Sequence, residues 1–381
     1  MSRRHDVAAH AVSLVELGDG RLRAFWFSGS AEGALDVVIL SAVYDPSRGE
    51  WGDARTVAEP EGTRRGLWRH VTKLGNPTAI RTADGTLWLF YVTVTVGGWG
   101  GSTVTCIRSN DDGETWGPPR RLIGTPFFNL NTLVRAHPFE YTDGTLGLPA
   151  YQSLLLGLSE TLRVDRRGAV IDKQRISTLG RGSQPAVLPT GPSTALALMR
   201  PSGQEPPRRV TLSRTHDAGR RWTRPTRTPL VNPDAAIEGL ALPDGRLLAV
   251  LNDVEVERDA LSLVVSDDAG TTWRRVHRLE DQVADRERAP DDDRYARTVE
   301  ALARATDDSI ADAGRYVTSS RRFMCWESRC HFDFSYPSLV RTRGGDFHLL
   351  YSWNRAYIKH VRFNQAWLDE RLEDTRHARA D

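Results

Sequence analysis

Apolar residues along the chain alternate with polar ones in short runs, and pairs of these runs meet at two-residue turns. Most of the turns are Asp-Gly, as in VSLVELGDGRLRAFWF and TAIRTADGTLWLFYV. An Asp-Gly turn between alternating runs is a strong signal of a β-hairpin. Similar segments are FEYTDGTLGLPAY, GLALPDGRLLAVL and PSLVRTRGGDFHLLY, and PAVLPTGPSTALALM is a weaker copy. The pattern therefore predicts six hairpins and an all-β protein.

A second pattern repeats between the hairpins. Ser or Thr, then Asp, Gly and Trp recur at one spacing in residues 109–116, 215–222 and 266–273. The gap between the first two copies is about twice the gap between the last two, so a further copy is expected midway in the longer gap. Residues 165–168 lie there and retain the Asp and the Gly of the motif. Residues 45–49 look like another eroded copy. Each copy follows a β-like run, so we expect a second pair of strands after most hairpins.

The repeated segment has the chemistry of a turn. Asp and hydroxyl side chains bind nearby backbone N–H groups, Gly permits a positive φ, and Trp packs beneath the turn. We therefore expect a structural role, and not a catalytic one, for Asp111, Asp217 and Asp268.

Six hairpins with their partner strands predict a six-bladed β-propeller. Four-stranded units spaced about 50 to 65 residues apart cannot each bury both faces, whereas stacking them around an axis does. We expect one domain over residues 1–370, with a partly helical insertion at about residues 281–333 before the last blade. In that insertion Tyr295, Val299 and Leu302 fit one helical face. Residues 371–381 are expected to be a polar tail.

Composition excludes some classes of partner. Lys and Arg number 51 and Asp and Glu number 49, giving a net charge of +2, whereas nucleic-acid binding needs a cationic surface. The chain shows no apolar stretch of about 18 residues and no signal-peptide pattern, so we expect no membrane partner and a cytoplasmic location. The oligomeric state is not predicted.

The cysteines indicate neither a disulfide framework nor a metal site. Three cysteines are too few for a framework, and the sequence leaves open whether Cys325 and Cys330 pair. His331 and Asp333 lie close by, but the segment lacks the second ligand pair of a zinc site. We expect no metal and no cofactor.

Candidate site residues follow from the geometry of a propeller blade. The Asp-Gly turns share one face, and the opposite face receives the start of each first strand and the end of each second strand. Polar or aromatic residues stand before a proline at the start of first strands: Asn76, His137, Gln184 and Tyr336. Others follow second strands: Glu32, Asp36, Arg200, Asn252, Trp353, Asn354 and Arg355. Amides, arginines and aromatic rings suit a polyhydroxylated, possibly anionic ligand.

The repeated turn is similar to the BNR or Asp-box motif, and the chain resembles bacterial sialidase-like propellers of the neuraminidase superfamily over about residues 10–365. The resemblance implies a tyrosine nucleophile, an acid/base carboxylate and arginines that hold a substrate carboxylate. The segment FSYPSL is similar to the family's tyrosine segment and places Tyr336 as nucleophile. Arg200 matches one of the arginines. Asp36 is slightly preferred to Glu32 as acid/base.

The chain differs from the family at three places. The Arg-Ile-Pro of the first blade is absent and residues 9–13 read AHAVS. Gln184 stands where the family places the glutamate that polarises the tyrosine. The third arginine is left open between Arg258, Arg355 and Arg135.

These residues predict a glycoside hydrolase that removes a terminal acidic sugar, such as a sialic, another ulosonic or a uronic acid, from a glycan. Tyr336 would attack or stabilise the anomeric centre and Arg200 would hold the carboxylate. One alternative is a polysaccharide lyase acting on a uronate with His137 and Tyr336. Another, favoured by Gln184, is a glycan-binding propeller without catalysis.

Overall fold

The computed structural model describes residues 7–125, 129, 131–153, 157–287, 292–306, 312–326 and 329–377. Six antiparallel sheets follow one another along this part of the chain. Contacts between neighbouring sheets continue around a ring and return from the last sheet to the first. A cavity on the ring axis is lined by the first strands of all six sheets. The predicted six-bladed β-propeller is confirmed.

The first three blades contain the following elements. Blade 1 consists of β1 (Ala8–Glu16), β2 (Leu22–Gly29), β3 (Val38–Asp45), β4 (Glu50–Trp51) and β5 (Arg55–Ala58), and α1 (Pro60–Leu67) follows it. Blade 2 consists of β6 (Lys73–Arg81), β7 (Leu87–Val94), β8 (Ser102–Ser109) and β9 (Arg120–Arg121), with a 3₁₀ turn at Trp99–Gly101. Blade 3 consists of β10 (Leu133–Val134), β11 (Phe139–Glu140), β12 (Leu146–Gln152), β13 (Leu158–Val164) and β14 (Val170–Arg175).

The next two blades are regular and four-stranded. Blade 4 consists of β15 (Ser183–Pro189), β16 (Ala195–Arg200), β17 (Arg209–Thr215) and β18 (Thr226–Val231). Blade 5 consists of β19 (Glu238–Ala241), β20 (Leu247–Leu251), β21 (Ala260–Ser266) and β22 (Arg274–Asp281).

The expected insertion separates blades 5 and 6 and is helical in part. It contains α2 (Val283–Glu287), α3 (Asp292–Thr306), α4 (Gly314–Met324) and a small hairpin of β23 (Cys325–Trp326) and β24 (Arg329–Cys330). A disulfide joins Cys325 to Cys330 across that hairpin, while Cys106 is a buried free thiol. Tyr295 and Val299 on α3 are fully buried in the same cluster as the core of blade 6, as the helical pattern predicts.

Blade 6 differs from its neighbours on its outer side. It consists of β25 (Phe334–Arg341), β26 (Phe347–Trp353) and β27 (Tyr357–Phe363), and α5 (Gln365–His377) follows. Helix α5 packs on blade 5, where the Trp367 ring lies 5.3 Å from the His277 ring, and Leu372 is buried. Helix α5 continues to His377 and buries Leu372, whereas the sequence predicted a polar tail from residue 371; residues 378–381 lie outside the described part.

The repeated turn segments connect the third and fourth strands of blades 2, 4 and 5. In the first copy the Asp111 carboxylate accepts hydrogen bonds from Thr115 N (2.9 Å) and from Ser109 Oγ (2.7 Å). These bonds hold the pKa of Asp111 well below its usual range. Asp217 and Asp268 make the corresponding bonds in their turns. All three carboxylates are therefore used by the turn itself.

The first strand of four blades contains a β-bulge at the same place. The strand register breaks between His10 and Ser13, Gly75 and Thr78, Ser183 and Ala186, and Ser335 and Ser338. Within each break one residue has a positive φ, and these residues are Ala11 (52°), Asn76 (43°), Gln184 (47°) and Tyr336 (55°). A bulge redirects side chains, and a positive φ is uncommon for residues other than glycine. The fold thus presents three of the four predicted residues before proline in one shared conformation.

Among the described helices, none is long and apolar enough to cross a membrane.

Candidate active site

A cavity of about 530 Å³ lies at the end of the ring opposite the Asp-Gly turns, within the size range of small-ligand sites. We call it the funnel pocket. Its lining includes Glu32, Asn76, Trp99, Tyr151, Ser183, Gln184, Arg200, Ser202, Asp234 and Tyr336. Five of the residues predicted from the sequence therefore share one cavity: Glu32, Asn76, Gln184, Arg200 and Tyr336.

Tyr336 forms part of the floor and is 7% exposed. Its ring lies 4.3 Å from the His10 ring, and the guanidinium carbons of Arg135 and Arg258 lie 5.5 and 5.8 Å from the ring centre. In the part of the chain that the structure describes, no group forms a hydrogen bond with its hydroxyl. Two cationic side chains therefore lie close to the ring of this phenol.

Arg200 is already paired with a carboxylate. Its Nε donates to Asp234 Oδ1, and Ser202 Oγ donates to the same oxygen at 3.0 Å. Burial lowers the pKa of Arg200, but nearby Tyr336 and Asp234 raise it by more, so the pKa lies above its usual range. Burial raises the pKa of Asp234, but the hydrogen bond and charge of Arg200, the hydrogen bond from Ser202 and the charge of Arg258 together lower it by more, so the pKa lies below its usual range. Both groups are charged at neutral pH.

A second charge cluster lies beside Tyr336, with Asp333 at its centre. The Asp333 side chain is 5% exposed and accepts a hydrogen bond from Arg355 Nε at 2.9 Å, while Arg258 Nη1 lies 3.8 Å away. Arg355 Nη1 also lies 3.4 Å from Glu32 Oε2. Burial raises the pKa of Asp333, but Arg258, Arg355 and His10, with the hydrogen bond from Ser335, together lower it by more. Arg258 and Arg355, two candidates for the third arginine, therefore share one buried carboxylate.

Tyr151 connects two of the bulge residues. Asn76 Nδ2 and Gln184 Nε2 both donate to the Tyr151 hydroxyl, at 3.2 and 3.1 Å. Burial, followed by the nearby Tyr336, raises the pKa of Tyr151, so this phenol is neutral. Because a phenol oxygen that accepts two hydrogen bonds keeps its own O–H, Tyr151 remains a donor for a ligand. Gln184 also cannot act as a base toward Tyr336, because an amide has no proton affinity at neutral pH.

His10 belongs to this site, and sequence reasoning missed it. His10 is 1% exposed, and within the described part of the chain neither ring nitrogen has a hydrogen-bond partner. Burial lowers its pKa to about 4, against the smaller opposing effects of Glu32 and Asp333, so the ring is neutral at pH 7. The available signal was the segment 9–13, which replaces the first-blade Arg-Ile-Pro of the resembling family and forms the first bulge.

Several predicted residues stabilise the rim and do not line the pocket. The Asp36 carboxylate accepts hydrogen bonds from Ser30 N (3.0 Å) and Ser30 Oγ (2.9 Å) and so closes its own loop. Asn252 Nδ2 donates to the carbonyl oxygens of Ala260 (2.6 Å) and Phe334 (2.8 Å). Two further predicted residues, Trp353 and Asn354, are buried beside the charge cluster around Asp333. Asn354 Oδ1 accepts a hydrogen bond from Asp333 N, and the Trp353 ring packs near the Phe334 ring. Of the two candidate acids, the structure brings Glu32 and not Asp36 to Tyr336.

His137 lies in a different cavity from Tyr336. This channel cavity of about 740 Å³, on the ring axis, is lined by His137 and by Glu238. His137 Nδ1 lies 3.2 Å from Glu238 Oε2, and its Nε2 lies 2.9 Å from the carbonyl oxygen of Leu14. The first strand of blade 3 is interrupted around His137, which does not adopt the positive φ of the other three residues before proline. The lyase alternative required His137 and Tyr336 to act on one substrate, and this placement does not favour it.

Arg135 lies beneath Tyr336 and is fully buried. It donates to Glu238 and to the carbonyl oxygen of Ile237, each at 3.2 Å, and to the carbonyl oxygen of Pro337. The last of these bonds fixes the peptide group between Pro337 and Ser338, one residue beyond Tyr336. Arg135 is therefore a positioning residue with its own carboxylate partner.

Among the described residues, one group of possible metal ligands lies outside this site, formed by Asp292, Cys325 and Cys330. Both sulfur atoms belong to the disulfide and are not thiolates, which are the sulfur ligands that metals bind. The residues present do not fit a metal centre.

Comparison with solved structures shows what the ring is similar to. A Hadza microbial sialidase has a TM-score of 0.67 and 16% identity, over 94% of this chain and 66% of that one. The NanB sialidase from Streptococcus pneumoniae has a TM-score of 0.65 and 9% identity, over 94% and 68%. A Penicillium chrysogenum α-L-arabinanase, solved with arabinobiose, has a TM-score of 0.62 and 12% identity, over 97% of both chains. At these identities the likeness establishes the fold alone.

Sequence comparison identifies the family. No curated protein sequence matches the chain. The family model of the BNR repeat-like domain matches residues 20–349, which is most of the chain. Together with the six blades and their repeated turns, this match shows that the chain belongs to the BNR repeat-like domain family.

Proposed function

We propose that this protein is a glycoside hydrolase that removes a sugar from the end of a glycan, with the funnel pocket as its active site. The observation that carries the proposal is that a phenol, Tyr336, to which no described residue is hydrogen-bonded, and a carboxylate, Glu32, line one cavity. The buried Arg135 lies beneath Tyr336, so the cavity is closed on that side. A cavity with a closed floor holds the end of a glycan chain, whereas an open cleft would hold the middle of one.

In the proposed reaction Tyr336 is the nucleophile. Its hydroxyl gives its proton to a solvent water as the phenol oxygen attacks the anomeric carbon, and Glu32 gives a proton to the glycosidic oxygen as the bond to the leaving group breaks. Glu32 then takes a proton from a second water, whose oxygen attacks the anomeric carbon as the bond to Tyr336 breaks, and the phenolate takes a proton back from solvent. A tyrosine nucleophile is a known exception to the scheme of two carboxylates.

The surroundings of both groups support these roles. Arg200 and Arg258 lie close to Tyr336 and would stabilise negative charge on its oxygen, while Gln184 stands where the resembling family has the glutamate that polarises the tyrosine. Glu32 is about one-third exposed, so its carboxyl group can exchange protons with solvent. The structural likeness to proteins named as sialidases and an arabinanase also favours glycoside hydrolysis over a binding-only propeller.

A screen of fluorogenic glycosides of neutral and acidic sugars tests the proposal. We expect turnover of at least one glycoside, and Tyr336→Phe should lower kcat/KM about 100-fold or more because the nucleophilic oxygen is lost. Tyr141→Phe is the matched control, since Tyr141 lies on the opposite face beneath Arg163. Equal rates for the wild type and Tyr336→Phe, or binding of sugars without turnover of any glycoside, would contradict the proposal.

A further inference from the structure

We propose that the funnel pocket accepts a neutral sugar and excludes an anionic one. This inference rests on the proposed function, because it names the class of substrate for the same pocket. The sequence-based hypothesis of a terminal acidic sugar needs an arginine that is free to bind a carboxylate. The charge pairs of the pocket determine whether such an arginine exists.

Each arginine at the pocket already has a carboxylate. Arg200 is paired with Asp234, and Arg258 and Arg355 are both paired with Asp333. Arg355 also reaches Glu32. Three arginines thus face three carboxylates, and the cluster is electrically neutral before any ligand enters.

Among the described residues, two further positions beside Tyr336 could supply positive charge, and neither does so. Arg135 is buried beneath Tyr336 and forms an ion pair with Glu238. His10 occupies the first-blade segment where the resembling family has an arginine, and it is a buried, neutral imidazole. Any negative charge that develops on Tyr336 adds to the carboxylates already present.

An anionic sugar that binds the Nε side of Arg200 would have to displace Asp234, and one that binds elsewhere in the pocket would add a fourth negative charge to the three carboxylates already there. Separating Asp234 from Arg200 leaves a carboxylate that is only partly exposed without its partner, which is costly. Asp234 thus acts as an internal competitor for the guanidinium group, and a like charge placed against the ligand is a means of specificity.

The polar groups that remain available suit hydroxyl groups. Gln184 is 5% exposed and lines the pocket, and no described group donates a hydrogen bond to its Oε1, which leaves this oxygen as an acceptor for a sugar hydroxyl. Tyr151 keeps an O–H to donate. The Trp99 ring, which lies against Gly75, adds an apolar face on which a sugar ring can stack.

Binding measurements separate the two classes of sugar without requiring turnover. The wild type, Asp234→Asn and the control Asp143→Asn are titrated with L-arabinose and D-galactose, and with D-glucuronate and N-acetylneuraminate, by saturation-transfer NMR. Asp143 pairs with Arg163 at the opposite end of the ring, so its variant removes a comparable carboxylate outside the pocket.

We expect the wild type and Asp143→Asn to bind a neutral sugar and neither acidic one. Asp234→Asn frees Arg200 and should gain about tenfold or more in affinity for an acidic sugar, with a gain that salt reduces. Tighter binding of an acidic sugar by the wild type, binding of neither class, or no gain in Asp234→Asn would overturn the inference. Binding of a neutral sugar without hydrolysis of its glycosides would reject the hydrolase and leave the substrate class standing.

Discussion

Asp234 accepts a hydrogen bond from Nε of Arg200 on the wall of the funnel pocket. The sequence shows an arginine at the end of β16, the position expected for a residue that binds a substrate carboxylate. In the structure the Nε atom of this guanidinium group is already bonded to a carboxylate of the protein itself, that of Asp234. The identity of the substrate therefore depends on a pairing between residues that lie 34 positions apart.

Replacing Glu32 by Gln tests the acid/base assignment. The variant cannot protonate the leaving oxygen, so kcat for an alkyl glycoside should fall by about 10²-fold or more. A dinitrophenyl glycoside needs no such proton and should lose much less in its first step. Asp36→Asn is the control, because Asp36 bonds to Ser30 and does not line the pocket. If Asp36→Asn shows the larger loss, the assignment is wrong.

Gly75→Ala should weaken sugar binding through Trp99. A Cβ atom at position 75 would lie 2.8 Å from Cη2 of Trp99, so the indole ring must move. Because a stacked ring contributes to the binding of the ground state and the transition state alike, we expect KM to rise with little change in kcat. Gly98→Ala, where the added atom meets open space, is the control. An unchanged KM would show that Trp99 does not contact the sugar.

Arg135→Met should destabilise the protein. It leaves Glu238 buried without its guanidinium partner, which typically costs about 3 to 5 kcal/mol. We expect a loss of this order in the free energy of unfolding, measured with urea, and a partial recovery when Glu238→Gln is added. Arg21→Met removes an exposed pair with Asp19 and should cost no more than about 1 kcal/mol. Equal losses in the two single variants would contradict the role given to Arg135.

Stability should fall on acidification because of His10. Its folded-state pKa of about 4 lies below the ordinary value of 6.5, so the unfolded chain binds the proton more readily. The contribution of His10 is complete above pH 6.5 and is lost as the pH falls from 6.5 toward 4, by about 3 kcal/mol in all.

His10→Leu cannot be protonated at this position and should lose stability less steeply over the same interval. His348 and His360 also have lowered pKa values, near 4 and 3, so part of the pH dependence of stability remains in every variant. The exposed His70→Leu serves as control. Parallel pH profiles for His10→Leu and the wild type would refute the prediction.

Local patterns were sufficient to predict the architecture. Asp-Gly turns and the repeated segments around Asp111, Asp217 and Asp268 depend on neighbouring residues alone, so their geometry can be read from spacing. The six blades and the helical insertion followed from them. The position of residues 371–377 could not be read this way, because the helix depends on burial of Leu372 against distant residues.

The site was predictable only in part for the same reason. Residues before proline in the first strands indicated Asn76, Gln184 and Tyr336, but the identical pattern at His137 lies in an interrupted strand and leads to another cavity. The pairing of Arg355 with Glu32 joins residues 323 positions apart, so no local signal could reveal it. The significance of His10 depended on its burial.

The four bulges in the first strands also bear on how such a ring can change its ligand. Each bulge is built from backbone geometry shared by Ala11, Asn76, Gln184 and Tyr336, whereas the side chains at these positions differ in size and polarity. The side chains at these four positions can therefore be replaced one blade at a time, while the strands that hold the ring together keep their conformation. Grafting side chains among these four equivalent positions offers a route to propellers with redesigned selectivity.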